Sequence, residues 1–262
     1  MNSSLRTSAS GMMAQQRMID VIANNLANVN TTGFKRSRVS FEDVLYETVR
    51  EARVADAQSK ETLAPVQIGK GVRISAVLRM HGQGSPESTN RPLDLSVEGD
   101  GLFQLQRPDG SVAYTRDGNF TLDASGALVS TGGYPVLPGI TMPADATDIG
   151  VAPNGTVSAR LAGASEATEV GRIELARFLN PSGLQAIGEN QFVATDASGE
   201  VTSGLAGEQG FGRVLQGTLE SSNVEMVQEM TDMIAAQRAY EINARAVKAG
   251  EDMMQVTNDI IR

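Results

Sequence analysis

The sequence predicts an α+β protein in which a long helix at each end of the chain flanks a central antiparallel all-β domain. Three observations predict this fold: apolar residues at seven-residue spacing near the N-terminus, the same spacing over a longer C-terminal stretch, and closely spaced turn signals between them. The expected segments are an N-terminal helix in 1–33, an extended linker or arm in 34–72, the β domain in 73–208, a return segment in 209–225 and a C-terminal helix in 226–262.

The first helix is predicted from one apolar seam, which consists of Leu5, Met12, Ile19 and Leu26. These residues recur every seventh position, so they share one face of a helix. A helix over 3–29 would be about 40 Å long at about 1.5 Å per residue. We expect this face to be a contact surface because a helix of this length needs a partner for its apolar stripe.

The last helix is predicted from a longer seam with the same spacing, formed by Met226, Met233, Tyr240, Val247, Met254 and Ile261. Neither terminal helix has a local partner, so we predict that 226–262 pairs with 1–33 as an antiparallel, coiled-coil-like pair. The alternative is that both helices lie on the central domain. Pairing is favoured because a seam of roughly 50 Å outreaches a domain whose radius of gyration is near 15 Å.

The stretch 46–72, within the segment that joins the first helix to the β domain, allows two interpretations. It has few large apolar residues and no sustained period. It is therefore either a solvated linker or an extended arm that becomes ordered only against neighbouring subunits.

The central domain is predicted from turns that punctuate short β-rich runs. The first three turn signals, at 108–110, 117–118 and 123–126, are only about eight residues apart, and the runs between them include VAYT and NFTL. Such spacing is typical of antiparallel sheets. No helix-length periodic segment interrupts the region, so a parallel nucleotide-binding sheet is not expected.

Composition excludes several classes of function. The chain has 31 acidic and 22 basic residues, a net charge of −9, so neither nucleic acid nor an anionic membrane surface is an expected partner. It has no cysteine and one histidine, His81, and no motif surrounds that histidine. We therefore predict no catalytic residues, no metal site and no cofactor. No apolar stretch is long enough to be a signal peptide or to span a bilayer, so no membrane insertion is expected.

An asparagine cluster lies at the end of the first predicted helix, at Asn24, Asn25, Asn28 and Asn30. Asparagine is a mediocre helix former, so its amides should cap the helix or find other partners. One interpretation is that Asn24, Asn25 and Asn28 contact neighbouring subunits; the other is that all four belong to a fraying helix end. In either case Gly33 is available for the left-handed conformation that ends helices.

Two terminal motifs carry a family resemblance. The stretch IANNLANVNTTGFKR, 22–36, and the stretch QRAYEINARAV, 237–247, resemble the two hallmark segments of bacterial flagellar rod and hook proteins. Similar segments between them, such as YTRDGNF at 114–120, extend the resemblance over essentially the whole chain. Length and the 46–72 stretch are most similar to the distal-rod members; a proximal-rod or hook-type axial protein is the alternative within the family.

The resemblance implies a structural protein without enzymatic activity. Such subunits polymerise into a hollow tubular shaft in the flagellar basal body, which spans the periplasm and transmits motor torque to the hook. The implied partners are further copies of the chain, the proximal-rod and hook-side axial proteins, the surrounding L- and P-ring proteins and the flagellar type III export apparatus, which would replace a signal peptide.

An alternative from a different class is a carbohydrate-binding β domain tethered by a coiled coil. Its support is a set of aspartates in turn sequences of the middle region, which could supply paired carboxylates. Sugar binding commonly uses aromatic platforms, and this chain has no tryptophan and only 4% aromatic residues. Composition therefore favours the assembly protein.

Overall fold

The structure is a computed structural model that describes residues 2–50, 53–54, 62–63, 66–162, 166–208 and 210–260. The chain divides into two compact units. The helical unit comprises Met1–Leu26, Ser37–Leu78 and Met226–Arg262, and the β unit comprises Ala27–Arg36 and Arg79–Glu225. The predicted α+β class is confirmed: a helix near each end of the chain and many antiparallel strands.

The two helices are α1, Asn2–Ala27, and α2, Met226–Ile260. The first helix ends within the asparagine cluster, and the chain turns there: the Thr31 amide donates to the Asn28 carbonyl at 3.2 Å. Gly33 then adopts the predicted left-handed conformation, with φ of 67°. A Cβ at this position would lie 2.6 Å from the backbone nitrogen of Asp117, so only glycine fits. None of the helices in the described part of the chain is long and apolar enough to cross a bilayer.

The positions at which the two helices contact each other follow opposite orders along the two helices. A Cβ placed on Gly250 would lie 2.5 Å from Leu5 Cδ2, and Gly11 faces the side chain of Asn243 in the same way, at 3.1 Å. Near the other end of α1, the helix is hydrogen-bonded to the first turn of α2. Since positions on α2 fall in number as those on α1 rise, the helices are antiparallel where they touch.

Six strands of the helical unit form two-stranded ribbons. Strand β1, Ser37–Asp43, pairs with β6, Val72–Arg79; β2, Tyr46–Arg50, pairs with β5, Val66–Gly69; and β3, Arg53–Val54, pairs with β4, Thr62–Leu63. The described parts of 46–72 are therefore paired strands rather than a structureless linker. Residues 51–52, 55–61 and 64–65 of that stretch lie outside the described residues.

The β unit is built around a six-stranded antiparallel sheet with the order β17-β18-β10-β9-β16-β19. Its strands are β9, Leu102–Gln106; β10, Val112–Thr115; β16, Glu174–Arg177; β17, Gln185–Gly188; β18, Gln191–Val193; and β19, Thr202–Leu205. The β9–β10 hairpin turns at the predicted Pro108–Gly110 signal, with Gly110 at φ of 81°. Proline, aspartate and glycine favour this turn, which explains why it could be predicted from the sequence.

Smaller sheets complete the β unit. They comprise β7, Pro86–Ser88, with β21, Thr218–Glu220; β8, Leu95–Glu98, with β20, Arg213–Gln216; β11, Phe120–Leu122, with β12, Leu128–Ser130; and β13, Ala146–Val151, β14, Thr156–Leu161, and β15, Thr168–Arg172. The segment expected to lead back to the last helix, 209–225, thus contributes two strands to the β unit. Residues 213–216 pair with 95–98, and residues 218–220 pair with 86–88.

The main core of the β unit lies between these sheets. Phe103 and Phe120 are fully buried at its centre and meet edge to face, with ring centroids 5.1 Å apart. Further apolar side chains surround them, among them Leu95, Leu105, Val136, Ile140, Val157, Ile173, Leu175 and Val214. Burial of this apolar surface holds the β unit together.

Candidate functional site

The predicted apolar contact residues of α1 are half-buried within this chain: Leu5, Met12, Ile19 and Leu26. The fully buried apolar positions of the helix are Ala14 and Ile22 instead. Met13 is 65% exposed, next to the predicted seam. The first helix therefore keeps part of its apolar surface available to another molecule.

The predicted seam of α2 is divided between the interior and the surface. Met233, Val247 and Met254 are half-buried, whereas Met226 and Tyr240 are exposed; Ile261 lies outside the described residues. The buried positions are instead Glu229, Ala236 and Gly250. They are seven or fourteen residues apart, so the face of α2 that packs inside the unit lies beside the predicted seam.

An exposed apolar stripe remains near the start of α2. Val227 is 74% exposed, Met230 is 50% exposed and Ile234 is 51% exposed. Their three- and four-residue spacing places them on one side of the helix. Contiguous exposed apolar surface of this kind marks an interaction site.

The surroundings of Asn25 correct the interpretation that this residue contacts a neighbouring subunit. Its side chain is 1% exposed and is bonded within its own chain: the amide nitrogen donates to the Ser37 carbonyl at 2.9 Å and to Glu229 Oε2 at 3.1 Å, and the amide oxygen accepts from the Ser37 backbone amide at 2.9 Å. It therefore has no surface to offer a neighbouring subunit. Asn25 instead joins the end of α1 to the start of β1 and to the first turn of α2.

The other two predicted asparagine contacts are more accessible. Asn24 is exposed and Asn28 is half-buried. The Asn28 side-chain oxygen accepts from the Thr31 hydroxyl at 3.2 Å, which supports the turn after α1. Contact of these two residues with another subunit stays a prediction.

A buried ion cluster lies in the β unit, where the sequence predicts no functional site. Lys35 Nζ lies 2.5 Å from Glu220 Oε1, and Arg116 Nε lies 2.5 Å from Glu220 Oε2; the three side chains are between 2% and 5% exposed. Burial lowers the pKa of the Lys35 ammonium, although Glu220 partly offsets the effect. Burial alone would raise the pKa of the Glu220 carboxyl, but Arg116 and Lys35 outweigh it and hold that pKa below its ordinary value.

Arg116 also organises a loop around its guanidinium. Its Nη2 donates to the carbonyls of Val97 and Gly99 at 2.6 and 2.7 Å, and its Nη1 donates to the carbonyl of Gly101. Five donors in a rigid fork suit this role, which a lysine could not fill. The residue belongs to the YTRDGNF segment, but no local pattern reveals that its partner, Glu220, is 104 positions away.

His81 lies beside this cluster. Its ring meets that of Phe192 edge to face, with centroids 5.5 Å apart. Burial and the nearby charges of Lys35, Arg79 and Arg116 lower the pKa of His81 to about 4. The imidazole is therefore neutral at neutral pH, as expected for a residue packed in the protein.

The cavity next to the cluster does not suit glycoside chemistry. It has a volume of about 390 Å³, and Asp100 is the one carboxylate among the described residues that line it. Hydrolysis of a glycosidic bond generally needs two carboxylates on opposite sides of the bond. Among the described residues, no group of three or more His, Cys, Asp or Glu side chains could hold a metal ion.

Three family models match separate parts of the chain. A model described as "Flagella basal body rod protein" matches residues 5–35, a "Flagellar hook protein FlgE/F/G D1 domain" matches 96–159, and a "Flagellar basal body rod FlgEFG protein C-terminal" matches 215–260. They cover most of α1, part of the β unit and α2.

Individual relatives match over almost the full length. The flagellar basal-body rod protein FlgG of Caulobacter vibrioides is 46% identical over 258 residues, which is 98% of this chain and 98% of the relative. The chain belongs to the FlgG family of flagellar basal-body rod proteins. Two further FlgG proteins agree: that of Borreliella burgdorferi is 46% identical over 98% of both chains, and that of Bacillus subtilis is 38% identical over 96% of both.

Membership in the FlgG family confirms the resemblance carried by the two terminal motifs. The first family model spans the asparagine cluster and Lys35, and the third spans Glu220, Asn223 and the whole of α2. The FlgG relatives are named as rod proteins, and none of the three matching models describes a catalytic domain.

Proposed function

We propose that this chain is a structural subunit of the distal rod of the bacterial flagellar basal body, where many copies polymerise into the hollow drive shaft that transmits motor torque to the hook. The observation that carries the proposal is 46% identity to FlgG rod proteins over 98% of the chain. The exposed apolar stripe of α2 supports it, because a helix that leaves Val227 and Met230 in water has surface for another subunit.

The proposed partners follow from a place in the rod. They are further copies of this chain, the proximal-rod and hook-side axial proteins at the two ends of its segment, the L- and P-ring proteins around it, and the type III apparatus that would export it. The predicted subunit contacts belong to the first of these interfaces: the half-buried seam of α1, the exposed part of α2, and Asn24 and Asn28.

Loss of the gene tests the proposal. Cells that lack it should make basal bodies whose rods stop short of the distal segment, and the wild-type gene supplied in trans should restore full-length rods and swimming. Electron micrographs of purified basal bodies measure rod length directly. Full-length rods in the deletion strain would contradict a structural role in the distal rod.

We also propose that α1 and α2 form a coiled-coil-like pair in the assembled subunit. The contacts of Gly250 with Leu5 and of Gly11 with Asn243 support it, since small residues let the two helices approach closely. The spacing of the buried residues Glu229, Ala236 and Gly250, which lie at multiples of seven positions, supports it as well.

The paired strands of 46–50 and 66–69 support an arm that bridges neighbouring subunits. Tyr46, Val66 and Ile68 are 45–55% exposed, more apolar surface than a solvated hairpin needs. A chain without residues 46–72 should keep a folded β unit and form a shaft that bends more easily. Bending of such shafts, imaged beside wild-type shafts, measures the effect; equal stiffness would argue against the arm.

A further inference from the structure

The chain passes between its two units at four points: 26/27, 36/37, 78/79 and 225/226. Within the β unit, three segments lie next to the last three of these points: 33–36, 80–85 and 220–223. Hydrogen bonds join the three segments to one another. For example, the Gly33 amide donates to the Glu220 carbonyl at 2.7 Å, and the Ser221 amide donates to the Ser85 carbonyl at 2.9 Å.

One side chain of the third segment forms hydrogen bonds with both of the other segments. Asn223, in the third segment, accepts from the Arg36 backbone amide at 2.7 Å and donates to the carbonyls of Met80 and Gly82 at 2.8 and 2.9 Å. An asparagine amide has the acceptor and the two donor hydrogens that these three bonds require. Asn223 is half-buried, so water can reach part of it.

The buried ion cluster bonds to the same three segments. Lys35, in the first segment, donates to the Gly82 carbonyl at 2.7 Å and to Glu220 at 2.5 Å. Glu220, in the third segment, also accepts from the Gly84 backbone amide at 2.8 Å. The three segments are therefore joined both by a half-exposed amide and by buried charged groups.

Amide and charged groups are better suited to fixing the relative orientation of the three segments than to increasing the stability of the fold. Apolar packing is non-directional, so segments held by it alone can slide past one another. Hydrogen bonds, including those between charged groups, fix distances and angles. Buried ion pairs add little net stability compared with apolar residues of the same volume, because desolvation offsets the attraction.

We propose that Asn223 and the Lys35–Glu220 ion pair, together called the crossing clamp, fix the directions in which the chain leaves the β unit and so determine the stiffness of the subunit in the shaft. The inference rests on the proposed function. It assigns a mechanical positioning role to three residues that are not among the proposed subunit contacts.

The test compares two asparagine variants in cells. Asn223→Ala removes the three bonds of the clamp amide, and water can satisfy the freed groups because the site is half-exposed. Asn180→Ala is the matched control: the exposed Asn180 side chain donates to the Ala197 carbonyl at 2.9 Å, in a loop of the same unit outside the three segments. Basal bodies are purified from each strain and imaged by electron microscopy.

We expect both variants to build as many full-length rods as the wild type. The spread of bending angles should be at least about twofold wider for Asn223→Ala rods and unchanged for Asn180→Ala rods. Lys35→Met provides a second variant, since it keeps the aliphatic stem and leaves Gly82 bonded to Asn223 and Glu220 bonded to Arg116; it should widen the spread in the same way.

Rods of Asn223→Ala and Lys35→Met that are as straight as wild-type rods would overturn the inference. Failure of both variants to build rods, while Asn180→Ala builds them, would also overturn it, because the residues would then act in folding. Failure of the proposed function looks different: in that case the wild-type protein itself would be missing from the purified basal bodies, and this inference would fall with it.

Discussion

Asn25 shows why a poor helix former is found in the last turn of a helix. Its three hydrogen bonds satisfy both backbone groups of Ser37 and place a donor against Glu229. The carboxylate of Glu229 lies in the first turn of α2, where the helix dipole favours negative charge. The amide thus ties three elements of the helical unit together at the cost of a small helix-propensity loss.

Replacement of Asn25 by alanine should therefore destabilise the chain before it affects assembly. The variant removes three hydrogen bonds, two to the backbone groups of half-buried Ser37 and one to the buried Glu229 carboxylate, so we expect a loss of about 3 kcal/mol in the free energy of unfolding of the helical unit. Urea titration followed by helical circular dichroism measures it. Asn24→Ala, at the exposed neighbouring position, is the control and should change stability by less than about 0.5 kcal/mol. Equal effects of the two substitutions would contradict the role of Asn25.

The pKa of His81 predicts a pH dependence of the β unit. Its folded pKa of about 4 lies below the ordinary value of 6.5, so the unfolded chain binds the proton first as pH falls. Stability is therefore complete above about pH 6.5 and decreases from there towards about pH 4. Between about pH 7 and about pH 5 this residue should remove about 2 kcal/mol from the free energy of unfolding.

Urea titrations at the two pH values, followed by tyrosine fluorescence, test this prediction. Other groups titrate in the same range, so the relevant quantity is the difference between the wild type and His81→Gln. The variant should lose the histidine contribution and show a smaller decrease in stability. Identical pH dependence in the two proteins would show that His81 is accessible to protons in the folded state.

At the scale of elements, the sequence predicted those helices and turns that a local pattern of residues encodes. Both helices were predictable because a seven-residue apolar rhythm persists over many turns, and the β9–β10 hairpin was predictable because Pro108–Gly110 suits a tight turn. The face that α2 buries was harder to predict: Glu229 and Gly250 are not apolar by composition, and only their partners on α1 make them interior positions.

The ion cluster and the crossing clamp could not be predicted from the sequence. Lys35 and Glu220 are 185 positions apart, and each is surrounded by residues typical of loops and short strands. Charged residues are usually at the surface, and only the fold brings these together away from water. Strands β20 and β21 were missed for a related reason, since their partners 95–98 and 86–88 lie more than a hundred positions away.

The approach of α1 and α2 leads to a prediction about Gly250. A Cβ there would meet the flexible end of Leu5, so Gly250→Ala should be tolerated: Leu5 can rotate, and alanine favours the helix by about 1 kcal/mol. Gly250→Phe is too large for the space and should separate the helices. Incorporation of the two variants into purified basal bodies, measured by immunoblot against the wild type, should be normal for alanine and strongly reduced for phenylalanine. Normal incorporation of the phenylalanine variant would contradict close helix pairing in the rod.

At the scale of the whole molecule, the chain combines a well-packed β unit with helices that leave apolar surface uncovered. The β unit buries aromatic and aliphatic side chains in two hydrophobic clusters, the larger of which surrounds Phe103 and Phe120. By contrast, α2 exposes Val227, Met230 and Ile234. The net charge of −9 makes such chains repel one another and so opposes non-specific association. This division of properties suits a subunit that completes its packing only in a polymer.

The measurement that tests this account most directly is the position of the protein along the rod. An epitope tag in the exposed turn at Asp109 would be labelled with gold-conjugated antibody on purified basal bodies and located by electron microscopy. We expect labels along the distal shaft, between the proximal rod and the hook. Labels confined to the proximal rod or the hook would contradict the distal position, and basal bodies without labels, from cells that express the tagged protein, would contradict the assembly function itself.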